Sequence, residues 1–146
     1  EKKKISFDIK LCDANAYFDV IIFRGTIQHI NEPFRSIEDS YRALKKGGLL
    51  FILSTPDIDS LCYRLFRRLP ALDQERCYFL PSARQVEIIC QRAGYQLKAR
   101  EYPYWNSGYD SPLRDFSRFF LNLVLPFNKS SFAFPGNMMN LCFMKE

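Results

Sequence analysis

Apolar and polar residues alternate at Ile5, Phe7, Ile9 and Leu11, the period of a half-buried strand over residues 5–12. Asp13, Ala14 and Asn15 then read as a turn. Residues 18–23 are apolar except for Asp19 and β-branched at Val20, Ile21 and Ile22, which suits a strand covered on both faces. After Asn31 and Glu32, a candidate cap, Pro33 takes a first helical position. Phe34, Ile37, Tyr41 and Leu44 follow at spacings of three and four and form one apolar stripe. Lys45 and Lys46 oppose the negative end of that helix dipole, and Gly47 supplies a left-handed residue to end it. Leu49 to Leu53 reads as a second buried strand, stopped by Ser54, Thr55 and Pro56. Strand, crossover helix and strand make the βαβ unit of a parallel sheet.

Farther along, Leu61, Leu65 and Leu69 recur every four residues, a short amphipathic helix over 59–69. Ser82 with Gln85 fits a capping box, Val86, Ile89 and Ala93 form the stripe behind it, and Gly94 closes that helix. Tyr95 to Tyr104 is a less apolar strand, nearer an edge. Residues 105–134 are dense in aromatics and punctuated by Gly, Pro and Ser, and Ser111-Pro112 starts a helix carrying Phe116, Phe119, Phe120 and Leu123. Met138 to Met144 is a last strand. The order β, β, α, β, α, α, β, α, β predicts an α/β fold.

Composition narrows the class. The 146 residues suit one domain, and 47% apolar with 25% charged residues excludes a disordered chain. No apolar run reaches the roughly 20 residues of a membrane span, and Glu1-Lys2-Lys3-Lys4 does not open a signal peptide. A cytoplasmic protein is expected and, with no Met at position 1, a piece of a longer one. Cys12, Cys62, Cys77, Cys90 and Cys142 are scattered, odd in number and without a C-x-x-C pair, so reduced thiols are expected and no zinc site. The net charge of +5 includes Lys2, Lys3 and Lys4 and a cluster at Arg64, Arg67 and Arg68. With no Arg-rich arm there is no strong nucleic-acid signal. A mildly basic surface and a preference for an anionic substrate both remain open.

Taken in order, Phe18-Asp19-Val20-Ile21, Gln28-His29-Ile30, Leu44-Lys45-Lys46-Gly47-Gly48 and Ser54-Thr55-Pro56 resemble the C-terminal half of the class I S-adenosylmethionine-dependent methyltransferases, closest to their broad small-molecule branch. Tyr78 to Ser82 leading to Arg92-Ala93-Gly94-Tyr95, and the closing Gly136-Asn137-Met138-Met139, extend the likeness with gaps over nearly the whole chain. The resemblance implies a partial Rossmann-like sheet made of family strands 3 to 7 from the order 3-2-1-4-5-7-6, mostly parallel with strand 7 antiparallel. It also implies that family strands 1 and 2, with the Gly-rich cofactor turn and the ribose-binding acid, are missing. Residues 1–146 would be a single partial domain, with 105–134 an aromatic insertion or lid before the last strand. The central strand 18–23 would then have a bare edge. Residues 5–12 would move over to cover it, or two chains would pair as a homodimer near residues 5–23.

The same resemblance assigns roles to single residues. Asp13, with Ala14 beside it, stands where an acid accepts from the adenine amine, against the alternative of an Asx turn. Phe23, Arg24 and Gly25 follow the fourth strand, where cofactor contacts are made. His29 is the sole histidine and so the one available imidazole base, against a helix-packing or hydrogen-bonding role. Gln28 replaces the Glu that some relatives use for a metal, so no metal is expected. Trp105 and Tyr109 are candidate substrate contacts, against a helix simply packed on the sheet. Arg114 and Arg118 beside the aromatic stripe admit contact with a membrane or lipid. The expected function is methyl transfer from S-adenosylmethionine to an unidentified small-molecule acceptor, the fragment alone being inactive. The alternative is a non-catalytic half-domain that serves oligomerisation or partner docking.

Overall fold

The computed structural model describes residues 11–69, 72, 76–105, 107–108, 110–125 and 132–146. In chain order the elements are β1 (Phe18–Arg24), α1 (Pro33–Ala43), β2 (Leu44–Pro56), α2 (Leu61–Phe66), α3 (Ala83–Arg92), β3 (Tyr95–Glu101), α4 (Pro112–Val124) and β4 (Met138–Lys145). Short 3-10 turns lie at Leu11–Asp13 and Ile27–His29. The four strands form one mixed sheet in the order β1-β2-β4-β3. β1 and β2 are parallel, and β4 runs antiparallel to both β2 and β3. This is the 4-5-7-6 portion of the order that the resemblance implies, with the last strand reversed and β3 at an edge as its polarity predicts.

Side chains alternate across the sheet, and one face is closed. Ile21, Leu50, Ile52, Leu141 and Phe143 lie on the face where α1 adds Ile37 and α3 adds Val86 and Cys90. Leu50, Ile52, Val86, Cys90 and Phe143 are fully buried there. Helix ends hold this layer in place. The Ser82 hydroxyl accepts from the Gln85 N–H at 3.3 Å, half of the expected capping box. Gly94 turns back at φ +100 with the Tyr41 ring against it, where a Cβ would approach to 2.8 Å. Tyr41 in turn packs edge-on against Tyr95, with ring centroids 5.1 Å apart. A second, separate cluster joins Cys62, Tyr63 and Leu69 to Phe119 and Phe132, linking α2, α4 and the segment before β4.

Several local expectations change. α1 ends at Ala43, before Lys45, Lys46 and Gly47, because Leu44 is already extended and pairs with Phe18. The Lys145 ammonium caps the Leu44 carbonyl at 2.7 Å, and Lys45 instead reaches across to Asp19 at 2.9 Å. Gly47 keeps the expected positive φ but serves an irregularity in β2, where the pairing jumps from Phe18↔Leu44 to Val20↔Leu49. β2 is therefore longer than Leu49–Leu53. α2 covers only Leu61–Phe66 of the expected 59–69, since Arg67 turns left-handed. β3 stops at Glu101, opposite Asn140, and does not reach Tyr104. Of the strand expected over 5–12, residues 5–10 lie outside the described residues, and Leu11 and Cys12 belong to a 3-10 turn. Their proposed move onto the β1 edge is not decided by the described residues.

Candidate active site

Parallel strands of an open α/β sheet present their carboxyl ends together, and ligands bind there. β1 ends at Arg24, and the next amide, Gly25 N–H, donates to Leu53 O at 2.9 Å. Gly25 (φ +58) and Ser54 (φ +52) both take left-handed conformations, so the two strands break regular pairing side by side. Asn140 of β4 stabilises the break, its side-chain Oδ1 accepting from the Ser54 N–H at 2.8 Å.

A cavity of about 750 Å³ opens at this point. Its floor is Arg24, Gly25, Ser54 and Asn140. Its aromatic wall is Tyr104, Phe132 and Phe134, and α4 contributes Arg114 and Arg118. Three arginines line it and, among the described residues, no carboxylate does. Arg114 is partly neutralised by Asp115, Nε to Oδ1 at 3.3 Å. Among the described residues neither Arg24 nor the half-buried Arg118 has a carboxylate partner. An unpaired guanidinium favours an anion, the exposed Arg24 by charge and the half-buried Arg118 also by partial desolvation.

Hydrogen bonds fix the wall. Asp115 is fully buried, and its Oδ2 accepts from the Tyr104 hydroxyl at 3.2 Å and from the Ser111 N–H at 3.1 Å. Burial, then the adjacent Asp115 carboxylate, pushes the Tyr104 phenol above its ordinary range. Asn137, 1% exposed, donates from Nδ2 to Phe132 O at 3.2 Å. Its Oδ1 is buried with no partner among the described residues, an acceptor left over at the cavity. Asp57, just past β2, accepts from the Asp59 N–H at 2.9 Å, and desolvation raises its carboxyl above the usual range.

The residues singled out from sequence fall into different places. Arg24 and Gly25 line the cavity, and Phe23 packs into the sheet core beside them. Asp13 and Ala14 do not line it. They lead into the amino end of β1, where Ala16 and Tyr17 bond to the last α1 carbonyls at Arg42 and Ala43. His29 is exposed, with Nδ1 3.0 Å from Arg76 O, and the preceding Gln28 carbonyl accepts from the Tyr78 N–H at 2.9 Å. The imidazole thus fastens the segment before α3 and does not face the cavity. Trp105 is 65% exposed and stacks on Phe116, with centroids 6.4 Å apart. Tyr109 lies outside the described residues. Sequence reasoning missed Ser54, Asn137 and Asn140. The signal for Asn140 was legible: a lone amide inside the apolar run Met138–Met144.

Comparison with known proteins agrees with the fold. A family model described as a methyltransferase domain matches residues 2–99. A tRNA U34 carboxymethyltransferase from Helicobacter acinonychis is 34% identical over 100 residues, covering 65% of this chain and 38% of that protein. One from Campylobacter hominis is 31% identical over 88 residues, covering 59% and 30%. The chain thus spans well under half the length of these curated relatives. Among solved structures, a SAM-dependent methyltransferase from Thermotoga maritima superposes with a TM-score of 0.60 at 18% identity, covering 91% of this chain and 58% of that one. Another from Archaeoglobus fulgidus gives 0.57 at 15% identity, covering 92% and 63%. These two likenesses show the shared fold. Family and neighbours imply S-adenosylmethionine as the cofactor. Matched over well more than half its length, the chain belongs to the methyltransferase domain family.

Proposed function

We propose that this chain forms the acceptor side of a S-adenosylmethionine-dependent methyltransferase, and that its acceptor is a small molecule or nucleotide bearing an anionic group. The observation that carries the reading is the cavity lined, among the described residues, by Arg24, Arg114 and Arg118 and by no carboxylate, at the carboxyl ends of β1 and β2. That lining does not fit the cofactor itself. Three guanidinium groups repel a sulfonium cation, and Asp13, the acid expected to meet the adenine amine, stands elsewhere. When bound, S-adenosylmethionine supplies the methyl group. The residues of this chain bind and orient the acceptor: Arg24 and Arg118 hold its anion, Phe134 and Tyr104 flank its body, and Asn137 Oδ1 accepts a donor from it. His29 holds the loop before α3 through Arg76 O. The tRNA named for the relatives is one anionic acceptor that fits this chemistry.

The uncovered Val20 and Ile22 on β1 favour one other reading, a half-domain that docks on a partner. The full-length protein separates the two. With labelled S-adenosylmethionine and a panel of matched neutral and phosphorylated acceptors, methylation should favour the phosphorylated members. Arg118→Ala should raise KM for them at least about tenfold with little change in kcat. Equal use of neutral acceptors contradicts the anionic assignment, and no methylation of any acceptor favours the docking module.

A further inference from the structure

α4 presents its faces the wrong way round for a helix facing water. Asp115 and Asn122 point inward at 0% and 4% exposure, while Leu113 is 90% exposed, Val124 76% and Phe120 61%. Leu113, Phe120 and Val124 are spaced seven and four apart, which puts them on one stripe of the helix. The orientation is locked. Asp115 is held by Tyr104 and Ser111, and Phe119 inserts inward to stack on Phe134 at 4.6 Å. Single exposed apolar residues are ordinary, but a stripe along 13 residues marks an interaction surface.

Charge identifies the partner. α2 packs against α4 through Phe66 and Phe119, with ring centroids 5.5 Å apart, and itself exposes Leu61 and Leu65. Arg64 and Arg114 on these helices, and Arg67 and Arg68 just beyond α2, are all exposed. The one carboxylate on either helix is the buried Asp115. Asp59, ahead of α2, is an exposed acid beside them and is outnumbered by these four arginines; leucine and phenylalanine flanked by a net positive charge complement an anionic lipid surface. A two-fold contact with a second copy would set like charges against one another. Trp105, exposed and stacked on Phe116, suits the headgroup level. Among the described residues no helix is long and apolar enough to cross a bilayer, so the contact is lateral.

We propose that α2 and α4 together dock this chain on an anionic membrane surface, with α4 lying in the headgroup plane. Trp105 is the only tryptophan and reports on the unsubstituted chain. Phosphatidylcholine–phosphatidylglycerol vesicles should shift its emission to the blue, brominated acyl chains should quench it, and salt should weaken the response, while pure phosphatidylcholine gives little. A double variant, Phe120→Glu with Val124→Glu, should bind the anionic vesicles at least about tenfold more weakly with its far-UV spectrum unchanged. Absence of any shift in the unsubstituted chain overturns the proposal. So does undiminished binding by a folded double variant, which would place the contact on the sheet. A dimer in sedimentation equilibrium that the same variant dissolves makes a second copy the occupant and overturns it as well.

Discussion

Strand β2 carries apolar residues on both faces of the sheet, yet only one face is covered. On β2, Leu50 and Ile52 are fully buried under α1 and α3. Their neighbours Leu49, Phe51 and Leu53 point the other way and are partly exposed, next to Val20 at 45% and Ile22 at 57% on β1. Met144 and Cys142 of β4 continue the same open face through Leu49↔Met144 and Phe51↔Cys142. Strands of this composition are those of a sheet covered on both sides. The comparison teaches that apolar patterning records what a strand is suited to contact: among the described residues Val20 and Ile22 stay exposed on the open face, although they are as apolar as the covered Leu50 and Ile52. The edge of β1 away from β2 is likewise unpaired among the described strands.

The largest expected difference between the faces is in stability. Phe143→Ala on the covered face should cost about 3–5 kcal/mol, and Ile22→Thr on the open face less than about 0.5 kcal/mol. Urea unfolding midpoints check both, and a comparable loss at Ile22 would show that the open face is packed in solution. Next, Gly94→Ala should cost about 1–3 kcal/mol, because a left-handed backbone and the Tyr41 ring both oppose a Cβ. Tyr104→Phe should cost about 1–3 kcal/mol by removing a donor from the buried Asp115, and should loosen the cavity wall without touching the sheet.

Asp57 gives a pH signature. Desolvation raises its folded carboxyl above the ordinary value of 3.8. The folded state therefore holds the proton more tightly than the unfolded one. Its contribution to stability is full below about pH 3.8 and is lost as pH rises through the folded value. Asp57→Asn should flatten that part of the stability profile, measured as unfolding midpoints from acid to neutral pH. A profile unchanged by the substitution would assign the slope to another group. The smallest effect is on thiol labelling. Burial pushes Cys90 to about 12 and Cys62 to about 11, so a thiol reagent should label exposed Cys12 first and reach those two only on unfolding.

The sheet was readable from sequence because its signal is local. Residues 18–23, apolar except for Asp19, and the unbroken Leu49–Leu53 are buried-strand runs, Ser82 and Gln85 stand at cap spacing, and Pro112 starts a helix where it should. Boundaries set by pairing were not readable. Leu44 fits the stripe of α1, but the sheet captures it, and no helical periodicity shows that competition. The cavity was half legible. Arg24 and Gly25 follow a strand end, whereas Arg118, Asn137 and Asn140 come from elements far along the chain that only folding assembles. His29 admitted two readings from sequence, a base or a hydrogen-bonding residue, and the partner of its imidazole, Arg76 O, is 47 residues away, beyond the reach of local patterning.

The central claim is that Arg24 and Arg118 hold an anion between the ends of β1 and β2. It is tested most directly by following the arginine side-chain N–H resonances while titrating in inorganic phosphate and then a nucleoside monophosphate. Saturable shifts confined to Arg24, Arg118 and Arg114, tighter for the nucleotide and abolished by Arg118→Ala, are the predicted result. Non-saturable shifts spread evenly over all arginines, or saturable ones that survive Arg118→Ala unchanged, would contradict it.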